Sequence, residues 1–182
     1  MIIDKEIVSK VNQDYFFISG IVDIDAEYFK KRIDEGVKSS TINFKTNVVG
    51  KHTEWEFFKK DKNFGILLLQ MIDYIEELTM KKKIDIEKFY LAEAWGLIET
   101  LGGYTKKHHH GPYSMSGVLY LNDHPQKLRF PEIHQEVTPK TGRFVLFSSF
   151  LKHYTKRNLR HKDKYAISFN FSGALVEETK KL

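Results

Sequence analysis

From residue 89 onward the sequence falls into short apolar runs: FYLAEAWGLIET (89–100), MSGVLYLN (115–122), KLRF (127–130), EVT (136–138), RFVLF (143–147) and YAISFNF (165–171). The runs carry β-branched and aromatic residues and are separated by Gly, Pro, Asn, Asp and Ser, the texture of strands joined by turns. Many short strands suggest two sheets laid face to face. The upstream half reads differently. A strand is expected around Tyr15–Val22, followed by a helix from Ala26 to Val37, with Asp25 as its N-cap and Phe29, Ile33 and Val37 spaced by fours. A second helix is expected from Phe64 to Met80, where Phe64, Leu67, Leu68, Met71, Ile75 and Leu78 keep helical spacing. Asp61 precedes it and Lys81–Lys83 follow it, the charge order that the helix dipole favours. Helices first and strands afterwards make the class α+β: a jelly roll with N-terminal helices packed on one sheet.

The 182 residues suit one domain, expected over 1–182, with 1–88 as a helix-rich support and 89–175 as the jelly-roll core that carries the site. A hydrophobic fraction of 41% and an aromatic fraction of 14% fit a packed globule, and no Pro-, Gly- or Ser-rich stretch marks a linker. The chain has no cysteine, so disulfides and thiolate ligands are excluded and any metal must rest on imidazole or carboxylate. Nothing approaches the ~20 apolar residues of a membrane span, and a cytoplasmic protein is expected. The net charge of +5 is compatible with an anionic partner. Much of it lies in Lys81–Lys83, Lys106–Lys107 and Lys180–Lys181, short runs of the kind that coat a surface, and no helix-turn-helix or aromatic RNA-binding motif is present. Nucleic acid is therefore not the expected partner.

Three of the eight histidines are consecutive, His108-His109-His110, after the turn-forming Gly102-Gly103. In an extended segment residues i and i+2 face the same way, so His108 and His110 point together and His109 points opposite. A redox metal that activates dioxygen needs three protein ligands on one face and open positions on the other. His153, after the apolar strand Phe144–Phe147, is the best third ligand on position in the chain. On spacing alone His108–His110 reads equally well as a polar loop. His52, His124, His134 and His161 fall in expected loops and read as exposed, and Asp123 and Glu132 are the candidate carboxylates for a further metal ligand. Trp95, Tyr104 and Tyr113 are candidate pocket walls, although aromatics at strand spacing belong as readily to a core.

From Trp95 to Asn170 the chain resembles the 2-oxoglutarate- and Fe(II)-dependent oxygenases, whose fold is the double-stranded β-helix, a cupin-like jelly roll. The resemblance is to bacterial and phage oxygenases with an H-x-H…H motif, related to prolyl hydroxylases. Its parts are Trp95, Gly102-Gly103-Tyr104, His108-His109-His110, Ser116-Gly117-Val118-Leu119-Tyr120, the Pro139–Gly142 turn and His153 ahead of Lys164–Ser168. The resemblance implies His108, His110 and His153 as iron ligands, and Lys164 with Tyr120 as the pair that receives the distal carboxylate of 2-oxoglutarate. A buried carboxylate needs a cation and a hydrogen-bond donor, or it costs several kcal/mol. The implied activity is hydroxylation of a small-molecule or peptide substrate, with release of succinate and CO2.

His110 departs from the superfamily pattern, which usually has Asp or Glu at that place. An all-imidazole site also suits a three-histidine, cupin-like dioxygenase that uses no 2-oxo acid, in which Lys164 would be incidental. A jelly roll that binds a metal or ligand without catalysis is the reading from outside the enzymes.

Overall fold

The computed structural model describes residues 1–11, 13–42, 46–82 and 88–174; Lys83, Lys180–Lys181 and the expected end of the core at residue 175 lie outside them. In chain order the elements are β1 (Ile2–Val11), β2 (Gln13–Ile21), α1 (Ala26–Ser39), β3 (Val48–Val49), β4 (Lys51–His52), α2 (Lys62–Lys82), β5 (Lys88–Glu99), β6 (Tyr104–Thr105), β7 (Met115–Tyr120), β8 (Leu128–Phe130), β9 (Gln135–Val137), β10 (Arg143–Ser148), β11 (Tyr154–Thr155) and β12 (Lys164–Ala174).

Both helices start where side chains can cap them. Asp25 Oδ1 accepts the Tyr28 amide at 3.0 Å, and Asp61 Oδ1 accepts the Phe64 amide at 3.0 Å, each meeting an N–H that the first turn leaves without a helical partner. The apolar stripes of α1 and α2 then bury Phe29, Ile33, Phe64, Leu68, Met71 and Ile75 in one cluster.

That cluster lies on one face of an antiparallel seven-stranded sheet of order β1-β2-β10-β7-β12-β5-β4. A second cluster, built by Tyr15, Phe17, Val118, Val145 and Phe147 of the large sheet with Leu128, Phe130 and Val137 of a β11-β8-β9 sheet, covers the other face. The result is three layers: helices, large sheet, small sheet. Alternation along β10 feeds both cores, since Phe144 and Leu146 join the helical cluster while Val145 and Phe147 join the other. A strand buried on both faces reads as a continuous apolar run, which is why RFVLF has no polar gaps.

The expected jelly-roll class with helices on one sheet is borne out. The large sheet gains strands that the sequence reading did not include. β1 pairs with β2 and forms an edge, and β4 pairs with β5 at the opposite edge. The turn Pro139–Gly142 returns the chain into β10 as expected. Gly142 sits at φ 75°, and a Cβ there would lie 2.2 Å from the Val22 carbonyl oxygen, so the position needs glycine.

Candidate metal centre

An isolated backbone bridge joins His108, after β6, to His153, just ahead of β11. The two residues exchange both backbone hydrogen bonds, His108 N–H to His153 O at 3.1 Å and His153 N–H to His108 O at 2.9 Å, while the His110 amide donates to the Ser149 carbonyl at 2.8 Å. Main-chain pairing therefore sets 45 residues' separation in sequence to one cross-strand contact, and the side chains follow. His109 turns away into solvent and accepts the Gly111 amide on Nδ1 at 3.1 Å, as the alternation of an extended segment requires.

His108 and His110 bring their Nε2 atoms to 3.0 Å, and His110 and His153 bring theirs to 3.3 Å. All three donor atoms lie within 4.8 Å of one another. His108 Nδ1 lies 2.8 Å from the Lys106 carbonyl, and His153 Nδ1 lies 3.0 Å from the Leu151 carbonyl. A carbonyl accepts, so each of these Nδ1 atoms carries the proton and each Nε2 presents a lone pair to the common centre. Bare lone pairs at this separation repel unless a cation lies between them. Metal–nitrogen bonds of about 2.1 Å set at right angles would separate neighbouring donors by about 3.0 Å, and at the tetrahedral angle by about 3.4 Å. The His108–His110 and His110–His153 spacings fall in that interval, so the trio fits a metal ion.

Burial keeps the three rings neutral. It holds His108 below the usual imidazole range, takes His110 down to about 3 and puts His153 well below its ordinary value, and the neighbouring histidines push His110 and His153 the same way. Neutral imidazole is the ligating form. Aromatic walls surround them: Trp95 stacks along His110 with centroids 6.2 Å apart, and Phe147 and Phe130 lie 4.8 and 5.6 Å from the His153 ring. No carboxylate joins the trio among the described residues. Asp123 accepts from the Thr141 amide at 2.8 Å and Glu132 from the Lys152 amide at 3.0 Å, so both are engaged elsewhere.

The cavity that the histidines line continues between the sheets to Lys164 and Tyr120, 5% and 2% exposed. Burial pushes the Tyr120 phenol far above its usual range. Burial also draws the Lys164 ammonium below the usual lysine range, with Glu99 pulling in the opposite direction. Glu99 is the residue that sequence reasoning missed. It is 1% exposed, stands directly opposite Lys164 in the β5–β12 register and forms an ion pair with it. Its Oε1 accepts from Thr105 Oγ1 at 2.8 Å and from Thr155 Oγ1 at 3.3 Å, leaving Oε2 to the ammonium. The signal was present in the i, i+2 row Trp95-Leu97-Glu99, all three of which line the cavity.

Two further expectations need correction. His124 is buried at 3% exposure, because its Nδ1 accepts the Gln126 amide and its Nε2 meets the Lys162 carbonyl, a closed loop rather than a solvated one. Tyr104 lies beneath Arg157, with 4.7 Å from guanidinium carbon to ring centroid, and lines a neighbouring depression instead of the histidine cavity. Trp95 and Tyr113 do reach the outer opening beside the histidines, where Trp55, Glu93 and Asn170 complete the rim.

No protein-family model and no curated protein matches the chain. Solved structures do. A viral collagen prolyl hydroxylase from Paramecium bursaria Chlorella virus-1, in complex with 2-oxoglutarate, aligns with a TM-score of 0.66 at 15% identity, over 88% of this chain and 96% of its own. A prolyl-4-hydroxylase from Pseudomonas putida aligns at 0.64 and 15% identity, over 87% and 92%. A non-heme α-ketoglutarate-dependent epimerase from nogalamycin biosynthesis aligns at 0.61 and 13% identity, over 88% and 78%. At these identities the likeness is one of fold: the chain has the fold of the 2-oxoglutarate-dependent non-heme oxygenases.

Proposed function

We propose that this protein is an Fe(II)- and 2-oxoglutarate-dependent oxygenase in which His108, His110 and His153 hold the iron, and Lys164 with Tyr120 receives the far end of the 2-oxo acid. The observation that carries the reading is the convergence of three histidine Nε2 atoms in a cavity that ends on a buried lysine. Bound there, iron(II) and the 2-oxo acid would supply the oxidising chemistry, with decarboxylation to succinate and CO2 as dioxygen is consumed.

The chain's own groups do the rest. The carbonyls of Lys106 and Leu151 lock two rings in the tautomer that ligates, as partners behind a metal ligand do. Trp95, Phe130 and Phe147 keep water from the ligands, and Lys164 supplies a cation at the closed end. Glu99 and Lys164 cancel and the imidazoles are neutral, so the charge of a divalent metal is left for the 2-oxo acid to balance. Substrate, a small molecule or peptide, would enter past Trp55 and Tyr113 and present a C–H bond beside the metal for conversion to C–OH, one oxygen atom of dioxygen going to that carbon and the other to succinate. The exposed Lys106 and Lys107, just before His108, suit an anionic group on it.

Iron(II)-loaded protein should bind 2-oxoglutarate in calorimetric titration, and should convert labelled 2-oxoglutarate to succinate with oxygen uptake. Absence of both would end this reading. The ion pair with Glu99 favours a second reading, because a lysine already satisfied has no demand for a ligand carboxylate: a three-histidine dioxygenase that needs no 2-oxo acid. Metal-dependent binding of any 2-oxo acid excludes it.

A further inference from the structure

The closed end of the cavity is built unlike a simple carboxylate anchor. Lys164 and Glu99 face each other across two antiparallel strands, so the contact is set by register and not by a chance side-chain posture. Thr105 and Thr155 hold the carboxylate from behind through Oε1. Leu97, Val118, Leu128 and Ala166 line the same cavity as apolar walls, with the Tyr120 phenol among them. A ligand carboxylate that also takes Lys164 puts two buried anions on one cation, and the surplus buried charge is the costly arrangement.

We propose that Glu99 is a specificity-determining residue: by neutralising Lys164 it makes the site tolerate 2-oxo acids with uncharged tails about as well as 2-oxoglutarate. The inference rests on the 2-oxo acid reading above and names the class of cosubstrate that this cavity admits. The 2-oxo acid end is common to all such ligands and meets the metal end of the cavity. Only the tail meets Glu99, so the effect of Glu99 is confined to the tail.

The test crosses two ligands with two proteins, and reads the coupling between residue and tail from binding rather than turnover. The ligands are 2-oxoglutarate and 2-oxopentanoate, which carries a methyl group in place of the distal carboxylate. The proteins are the parent and Glu99→Gln, both loaded with iron(II) without oxygen, and the readout is Kd by calorimetry. The parent is expected to bind the two ligands within about tenfold of each other, and Glu99→Gln to tighten 2-oxoglutarate by at least about tenfold while leaving 2-oxopentanoate unchanged. A parent preference for 2-oxoglutarate beyond about tenfold overturns the proposal, as does a Glu99→Gln variant that shifts both ligands equally or neither. Should Glu99→Gln fail to fold, the parent's ratio alone decides. If iron binds but neither 2-oxo acid binds either protein, the oxygenase reading falls and this inference falls with it, a result distinct from tight binding without tail coupling.

Discussion

The two ends of the cavity solve the problem of buried polarity in opposite ways. At the outer end three imidazoles that burial keeps neutral gather their Nε2 atoms around one point, an arrangement that a cation from outside would complete. At the closed end a cation and an anion complete each other within the chain. The contrast teaches that burial by itself does not mark a binding site. What separates the ends is whether the buried groups are satisfied by their own neighbours.

The largest effect is expected at the outer end. His153→Ala removes one of three ligands and should abolish iron binding, by more than ~100-fold in Kd measured by competition with a chelating dye, since even partners behind a ligand are worth 10–100-fold. At the closed end the same logic predicts a loss of stability instead of ligand affinity alone. Lys164→Ala leaves Glu99 buried and alone, which should cost about 3–5 kcal/mol in denaturant unfolding, whereas the double change Lys164→Met with Glu99→Leu should recover most of it. Equal losses in the single and double variants would mean that the pair is not the unit of stability.

The smallest effect is expected in the pH dependence of stability. In the unfolded chain each histidine takes a proton near pH 6.5, but in the fold burial keeps these three neutral to lower pH, His110 down to about 3. Below pH 6.5 the unfolded state therefore binds more protons. Stability of the metal-free protein should be full above that pH and decline as pH falls, by up to ~1.4 kcal/mol per unit for each histidine. Melting temperatures of metal-free protein between about pH 7.5 and 5 check this, and a flat profile would contradict it.

Much of this was legible in the sequence, for reasons that differ by element. The six runs from residue 89 onward became β5, β7, β8, β9, β10 and β12 with ends shifted by at most three residues, because strands buried on one or both faces leave a strong pattern. The i, i+2 rule oriented His108 and His110 without any structure. β1 was not legible: its IIDKEIVSKV alternates weakly and carries the charges of an exposed edge, so it signals neither helix nor core. Glu99 was hidden for a different reason. A glutamate at the end of an apolar run looks like the strand's exit to solvent, and only the pairing of β5 with β12 sets it against Lys164. His124 could not be told from a surface histidine, because its burial comes from the Lys162 carbonyl, 38 positions away.

The reciprocal backbone bonds between His108 and His153 fix one edge of the metal centre before any ion arrives. Because main-chain pairing holds those two imidazoles together, the ion is not asked to gather a floppy loop. Iron should load at a rate limited by its arrival and its shedding of water, and a chelator should strip it without melting the surrounding strands. Cycles of emptying and refilling would then leave the scaffold unworn, as in a socket rather than a clasp.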